Sequence, residues 1–197
     1  MSKEICYSQE IEIEKRDMQD NSIEAIFANI KMIKTVGDDG KMSELDFEIT
    51  FDANLYTLLR AHYDAQSFDK LKEEKQLSID FEQFPEEVAT LLNNSQNKFS
   101  KKSPKRADPD QIENAVYFVT TNETSGYLIF LDILSFKEVE IFRIDFTQVA
   151  DEESHLSAQQ KFTKVKNDLK KQTLMLKTLY KEITSQCPFI LELIRRQ

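Results

Sequence analysis

The sequence predicts a mainly β head, an antiparallel sandwich or barrel with an inserted helix–turn–helix, followed by a C-terminal amphipathic helix of the kind that begins a coiled coil. Three observations carry this. Leu45, Phe47, Ile49 and Phe51 alternate strictly with Asp46, Glu48, Thr50 and Asp52, the period of a half-buried strand. The stretch DFEQFPEEVATLL, Asp80 to Leu92, places Pro85 at a helix start and Val88, Leu91 and Leu92 on one helical face. From Asp151 to about Ser185 there is neither Gly nor Pro, and Phe162, Val165, Leu169, Leu176, Leu179 and Ile183 follow a 4-3 spacing, with Gln172 in the one polar slot. That is a heptad seam.

The elements follow in order. Ile5, Tyr7, Ile11 and Ile13 share one face of an extended segment. Residues 23–35 are apolar-rich and run into Val36-Gly37-Asp38-Asp39-Gly40, a strong turn signal. After the alternating strand, Leu55 to Leu59 forms another. Asp64 or Ser67 caps a short helix with Phe68 and Leu71 inward. Glu86 and Glu87 fall in the first turn of the next helix, where the helix dipole favours negative charge. Phe81 and Phe84 cover its entry. Residues 93–113 are polar and hold Pro104 and Pro109, which reads as a loop. Three apolar segments then follow, Ala115–Thr121, Gly126–Leu134 and Val139–Phe146. The middle one is nearly continuous and suits a strand buried on both faces. The predicted organisation is a β-rich head over 1–150, with a helical insertion at 64–93 and a mobile loop at 94–113. The helix of 151–197 follows, coiled-coil-like to about 184, with a short apolar tail. Two arrangements satisfy the 4-3 stripe: pairing with another helix, or packing of a single helix back on the head.

Bulk properties exclude several classes. The chain has 197 residues, of which 40% are hydrophobic, and a net charge of −9. The length suggests one domain plus an appendage, and fourteen Phe without Trp give the core an aromatic character. An acidic surface disfavours duplex nucleic acid as a partner. The stretch MSKEICYSQEIEIEK has no apolar region of the signal-peptide kind, and no run approaches the ~20 residues of a membrane span. No membrane association is expected. Cys6 and Cys187 fit no metal or redox spacing and read as reduced thiols of an intracellular protein. Lys98, Lys101, Lys102, Lys105 and Arg106 form a positive island in the polar loop. It reads as a solvated loop, the other reading being contact with an acidic partner such as a microtubule surface.

Catalytic constellations are missing from the pattern. His62 sits in a strand and His155 at a helix start, neither with a partner motif, and no phosphate-binding glycine loop occurs. The reading is a non-enzymatic interaction protein with no cofactor and no metal. One position stands out. Ser135-Phe136-Lys137-Glu138 joins two strand candidates, and a hairpin tip normally uses Gly, Asn or Asp. A Phe held in water there forgoes burial of about 2 kcal/mol or more. Either the tip folds back and Phe136 joins the core, or Phe136 meets a partner.

The ordered set Phe47-x-Ile49, Leu55-Tyr56, Phe68-x-x-Leu71-Lys72, Leu77, Asp80-Phe81-x-x-Phe84-Pro85 and Leu91-Leu92 resembles the N-terminal head of the spindle assembly abnormal protein 6 family, the cartwheel protein of centrioles and basal bodies. Phe136-Lys137, followed by Phe142, Ile144 and Phe146, is similar to that family's hairpin with Phe-Lys or Phe-Arg at its tip. The resemblance implies a β-sandwich or barrel with a helix–turn–helix insertion, in a superfamily shared with DNA end-joining scaffolds. It implies that Phe136, with Lys137, enters a hydrophobic pocket on a neighbouring head. It also implies that the helix seam, Phe162, Val165, Leu169, Gln172, Leu176, Leu179 and Ile183, pairs two chains. Asp80, Phe81, Phe84, Pro85, Leu91 and Leu92 are expected to be structural. This sequence departs from the family in two places. Leu134-Ser135 stand where the family carries Asn-Pro or similar, and the 4-3 pattern stops near Pro188. The second departure resembles the short, spoke-less relatives found at apical or flagellar microtubule structures of protists. The function so implied is a self-associating cytoskeletal scaffold at the centriole or basal body, or at an apical or flagellar base. Its main partner would be itself, as homodimer and higher oligomer, with other centriolar or microtubule-associated proteins as further partners. An end-joining repair scaffold is the alternative with the same fold.

Overall fold

The computed structural model describes residues 1–51, 54–99, 113–122, 124–134 and 137–186. Seven strands form a closed barrel in the order β1-β2-β3-β4-β7-β6-β5. They are β1 (Ser2–Asp17), β2 (Ile23–Val36), β3 (Met42–Phe51), β4 (Asn54–Asp64), β5 (Glu113–Asn122), β6 (Ser125–Ile133) and β7 (Glu138–Gln148). Neighbours pair antiparallel except at the closure, where Glu14–Asp17 of β1 run parallel to Tyr117–Thr120 of β5. Among the described residues, the β4–β7 ladder consists of Leu59–Gln148 and Arg60–Thr147. Two helices, α1 (Ala65–Lys75) and α2 (Phe84–Phe99), lie between β4 and β5 in the chain, and α3 (Asp151–Gln186) follows β7. The chain divides into two compact units, Met1–Ser154 and His155–Gln197.

The alternation in β3 works as a strand pattern should. Leu45, Phe47 and Ile49 are fully buried in the barrel. The intervening carboxylates are not simply solvated. Asp46 meets His62 Nδ1 at 2.7 Å, and Glu48 accepts from Lys31 at 3.3 Å and from Arg60 at 2.8 Å. Cross-strand charge pairs thus cover the outer face of β2–β3–β4. In β1, Tyr7, Ile11 and Ile13 face inward as expected, but Ile5 is 62% exposed. The reason is a register shift: Ile5 pairs with Ile33 and Tyr7 with Met32, so Cys6 is an extra residue and Ile5 is turned to the other face. The β6 run is not buried on both faces to the same degree. Leu128 and Phe130 are enclosed, while Tyr127 and Ile129 on the outer face are half-buried, with Arg143 lying 5.3 Å from the Tyr127 ring.

Both expected caps of α1 act together. Asp64 accepts from the Ser67 backbone N–H at 2.7 Å, and the Ser67 hydroxyl accepts from the Asp64 N–H at 2.8 Å, a reciprocal capping box. The helix ends at Gln76, whose φ of 54° is left-handed. α2 begins at Phe84, so Pro85 is its second residue, still within the first turn where a missing N–H leaves no bond unmade. It continues to Phe99, six residues into the stretch 94–113 read from sequence as loop. Those residues hold no Gly or Pro, and Ser95 is buried with its hydroxyl donating to the Leu92 carbonyl at 2.8 Å. The rest of that stretch up to residue 112 lies outside the described residues, and with it most of the positive island.

The helix pair closes one end of the barrel. The Phe84 ring stands 5.0–6.0 Å from the rings of Phe47, Tyr63, Phe68 and Phe142, which bring together β3, β4, α1 and β7. Phe81 caps the cluster at 5.2 Å from Phe68. Val88 and Leu92 are buried behind it, Leu91 partly so, and Tyr7 of β1 donates to Asn93 at 3.3 Å. Asp80 stays exposed and receives Lys72 Nζ at 2.8 Å. Glu82 accepts from the Met42 N–H at 2.7 Å, tying the linker to the start of β3.

Phe84→Ala removes the centre of this cluster and is expected to destabilise the protein by about 3–5 kcal/mol in urea unfolding, with Phe81→Ala costing clearly less because Phe81 is only partly buried. Burial pushes the phenols of Tyr7 and Tyr63 up to about 12. Because their folded values lie above the ordinary value near 10, the stabilisation is complete below about pH 10 and is lost as pH rises toward 12. Denaturant midpoints measured across that window should fall, and Tyr63→Phe should flatten the fall.

Candidate assembly interface

The resemblance points to two surfaces, a hairpin tip and a helix seam. At the hairpin, β6 and β7 end on the pair Ile133–Glu138, and the Leu134 N–H donates to the Lys137 carbonyl at 2.9 Å. Ladder and closing bond therefore hold both stems of the tip in fixed register. Lys137 is exposed. Phe136, the residue assigned to the neighbouring head, lies outside the described residues together with Ser135.

The seam lies on α3, whose described length of 36 residues corresponds to about 54 Å. Phe162 is 68% exposed, Val165 65%, Leu169 62%, Leu176 67% and Leu179 49%. Gln172 is exposed and Ile183 partly so. The structure therefore presents all seven seam residues on one helix. It also presents apolar residues that the 4-3 reading left out: Leu174, Met175 and Tyr180 are exposed as well. The stripe is narrow from 162 to 172 and broad from 174 to 183. Met175 and Tyr180 flank the seam directly, a pattern visible in the sequence once the flanking positions are read with it.

The first turn of α3 belongs to the barrel unit and is anchored there. The Val149 N–H donates to the Leu58 carbonyl at 2.9 Å, Ser154 is buried, and Glu153 accepts from Arg60 at 2.9 Å. Arg60 thus joins Glu48 of β3 and Glu153 of α3, and these two carboxylates offset the burial that would otherwise lower its basicity. Alternating acidic residues gave no sign in the sequence of this bridge, which depends on strand order.

The end of the barrel opposite the helix pair holds a cavity of about 350 Å³ with Ile26, Phe51, Leu59 and Phe118 among its lining residues and the Lys15–Glu24 ion pair, 3.0 Å, at its edge. Gly126 makes this packing possible. A Cβ there would stand 2.6 Å from the Phe118 ring and from the Val119 carbonyl. His62 Nδ1 pairs with Asp46, and among the described residues no cluster of His, Cys, Asp and Glu could hold a metal ion. No described helix is long and apolar enough to cross a membrane.

Comparison with known proteins fits this architecture. Residues 5–146 match the centriolar protein SAS N-terminal domain. No curated protein matches the chain. Among solved structures, an N-terminal fragment of Leishmania SAS-6 containing parts of its coiled coil, in mutant form, has a TM-score of 0.71 at 13% identity, covering 96% of this chain and 99% of its own. An N-terminal fragment of Drosophila melanogaster Sas-6, dimerised via its coiled-coil domain, has a TM-score of 0.68 at 16% identity, covering 99% of this chain and 89% of its own. The N-terminal coiled-coil dimer of C. elegans SAS-6 has a TM-score of 0.63 at 14% identity, covering 87% of this chain and 95% of its own. At such identities these likenesses speak for the fold. The family match spans nearly the whole barrel and well over half of the sequence, and the chain belongs to the centriolar protein SAS family through this N-terminal domain.

Proposed function

We propose that this chain is a non-enzymatic cytoskeletal scaffold that associates with itself through two separate surfaces, the hairpin tip at Phe136-Lys137 and the seam of α3, to build a centriolar or basal-body cartwheel or a related microtubule-organising structure. The observation that carries the reading is the exposed stripe of α3. Side chains from Phe162 to Leu179 stand in water at the spacing of a coiled coil, although the barrel already has a complete core of its own. A second helix that covers this stripe removes its large side chains from water, a gain set against the entropy cost of association. The family's centriolar character and the coiled-coil dimers formed by the SAS-6 fragments of Drosophila and C. elegans support the same reading.

The two contacts are individually weak. One aromatic anchor and a short seam bury little area, so assembly depends on linking them: once α3 joins two chains, each pair carries two heads, and further head contacts gain from effective concentration. Phe136 supplies an aromatic anchor, a residue type enriched at contact surfaces, with the Lys137 charge beside it.

Sedimentation velocity over a concentration series separates the two surfaces. The native chain should grow beyond a dimer, Phe136→Glu should stop at a dimer joined by α3, and Leu176→Asp should stop at a dimer joined by heads. A native chain and a Phe136→Glu variant that sediment alike would remove the hairpin from the account. Because Leu176 is exposed, Leu176→Asp should leave the unfolding free energy of the barrel within about 0.5 kcal/mol of the native value, which urea titration at low protein concentration checks.

A further inference from the structure

We propose that Lys161 and Lys166 oppose the pairing of α3 with a second copy while Gln172 fixes its register, so that the pair is closed mainly by residues 174–183 and held loose toward the start of the helix. This rests on the proposed self-pairing of α3 and says which residues limit it.

In the 4-3 frame, Phe162, Leu169, Leu176 and Ile183 occupy one seam position and Val165, Gln172 and Leu179 the other. The positions that flank the seam are Lys161, Asp168, Met175 and Glu182 on one side and Lys166, Thr173 and Tyr180 on the other. Flanking residues are where paired helices place their interhelical charges. In a parallel, in-register pair each flanking residue of the first set meets the residue five further on in the second copy. Lys161 then faces Lys166, Asp168 faces Thr173, and Met175 faces Tyr180, each contact occurring twice by symmetry. Met175 and Tyr180 are 69% and 50% exposed, and together they make a thioether–aromatic contact that extends the apolar seam. The Lys161–Lys166 contacts are repulsive.

An antiparallel pair would reverse the charges, because Lys161 would approach Glu182 of the second copy. Gln172 decides between the two. In parallel register it meets its own copy, and each amide can donate to and accept from the other. Antiparallel overlap puts it against Leu169 or Leu176 with no partner. A polar group left unpaired in a contact weakens association by about tenfold to a hundredfold, and the two Gln172 together by at least about a hundredfold. An exposed charge pair changes it by about twofold, so that two Lys contacts turned from repulsive to attractive change it by about sixteenfold. Gln172 therefore outweighs the lysines. The register it selects makes Lys161 and Lys166 oppose each other.

The test uses the full chain carrying Phe136→Glu, so that only helix pairing is read, in sedimentation equilibrium at about 50 mM salt, where screening is modest. Lys166→Glu should tighten the dimer by about fivefold to twentyfold, although it makes a chain of net charge −9 still more acidic. Lys161→Glu should act in the same direction. Lys164→Glu, which changes charge equally but lies off the seam, should leave the dimer unchanged or slightly weaker. At high salt the gain should vanish. Weakening by Lys161→Glu would put that residue beside Glu182 and overturn the parallel register. A dimer indifferent to Lys166→Glu would overturn the charge assignment alone. A chain that stays monomeric in every form would overturn the helix pairing on which the inference rests.

Discussion

The position of one side chain, Phe84, governs the architecture. β4 and β7 share a short ladder, Leu59–Gln148 and Arg60–Thr147, where the barrel closes with few strand-to-strand bonds. Phe84 reaches β3, β4, α1 and β7 at once, and the helix that carries it also packs Val88 and Leu92 into the same core. The linker before it is pinned by Glu82 to β3. The helix pair is therefore structural before it is anything else. Its two phenylalanines stand at a helix entrance because that entrance is the plug of a barrel end.

Once the core is completed from within, the outer surface is left for other work. The outward carboxylates of β3 are engaged by Lys31, Arg60 and His62. Apolar exposure is concentrated on α3. A protein built this way can lose its contacts without losing its fold.

Some of this was legible in the sequence, for identifiable reasons. β3 declared itself because one face is buried and the other charged. α1 and α2 did so because Asp64, Ser67, Pro85 and the acidic first turn are local signals that require no tertiary partner. The seam of α3 was readable because periodicity survives without a partner chain. Other features depend on contacts distant in sequence. The bulge at Cys6, which turns Ile5 outward, is set by pairing with β2. Residues 94–99 continue the helix, with Ser95 buried, which their polar composition conceals. The parallel closure of β1 on β5, the Arg60 bridge and the cavity beside Phe118 arise from strand order, which no local pattern encodes. The hairpin at Phe136 was singled out by its misfit with turn chemistry, but a misfit names a position and not its receptor.

The central claim is that the apolar stripe of α3 is a contact face for another copy. Hydrogen–deuterium exchange across a wide range of protein concentration tests it most directly, because the helix and the barrel report separately. Exchange protection of residues 160–183 should rise with concentration while the amides of β3, β6 and the Phe84 helix keep the same protection throughout. Protection of the helix that is the same at every concentration would contradict the account: the stripe would then be covered within one chain, or would not need cover at all.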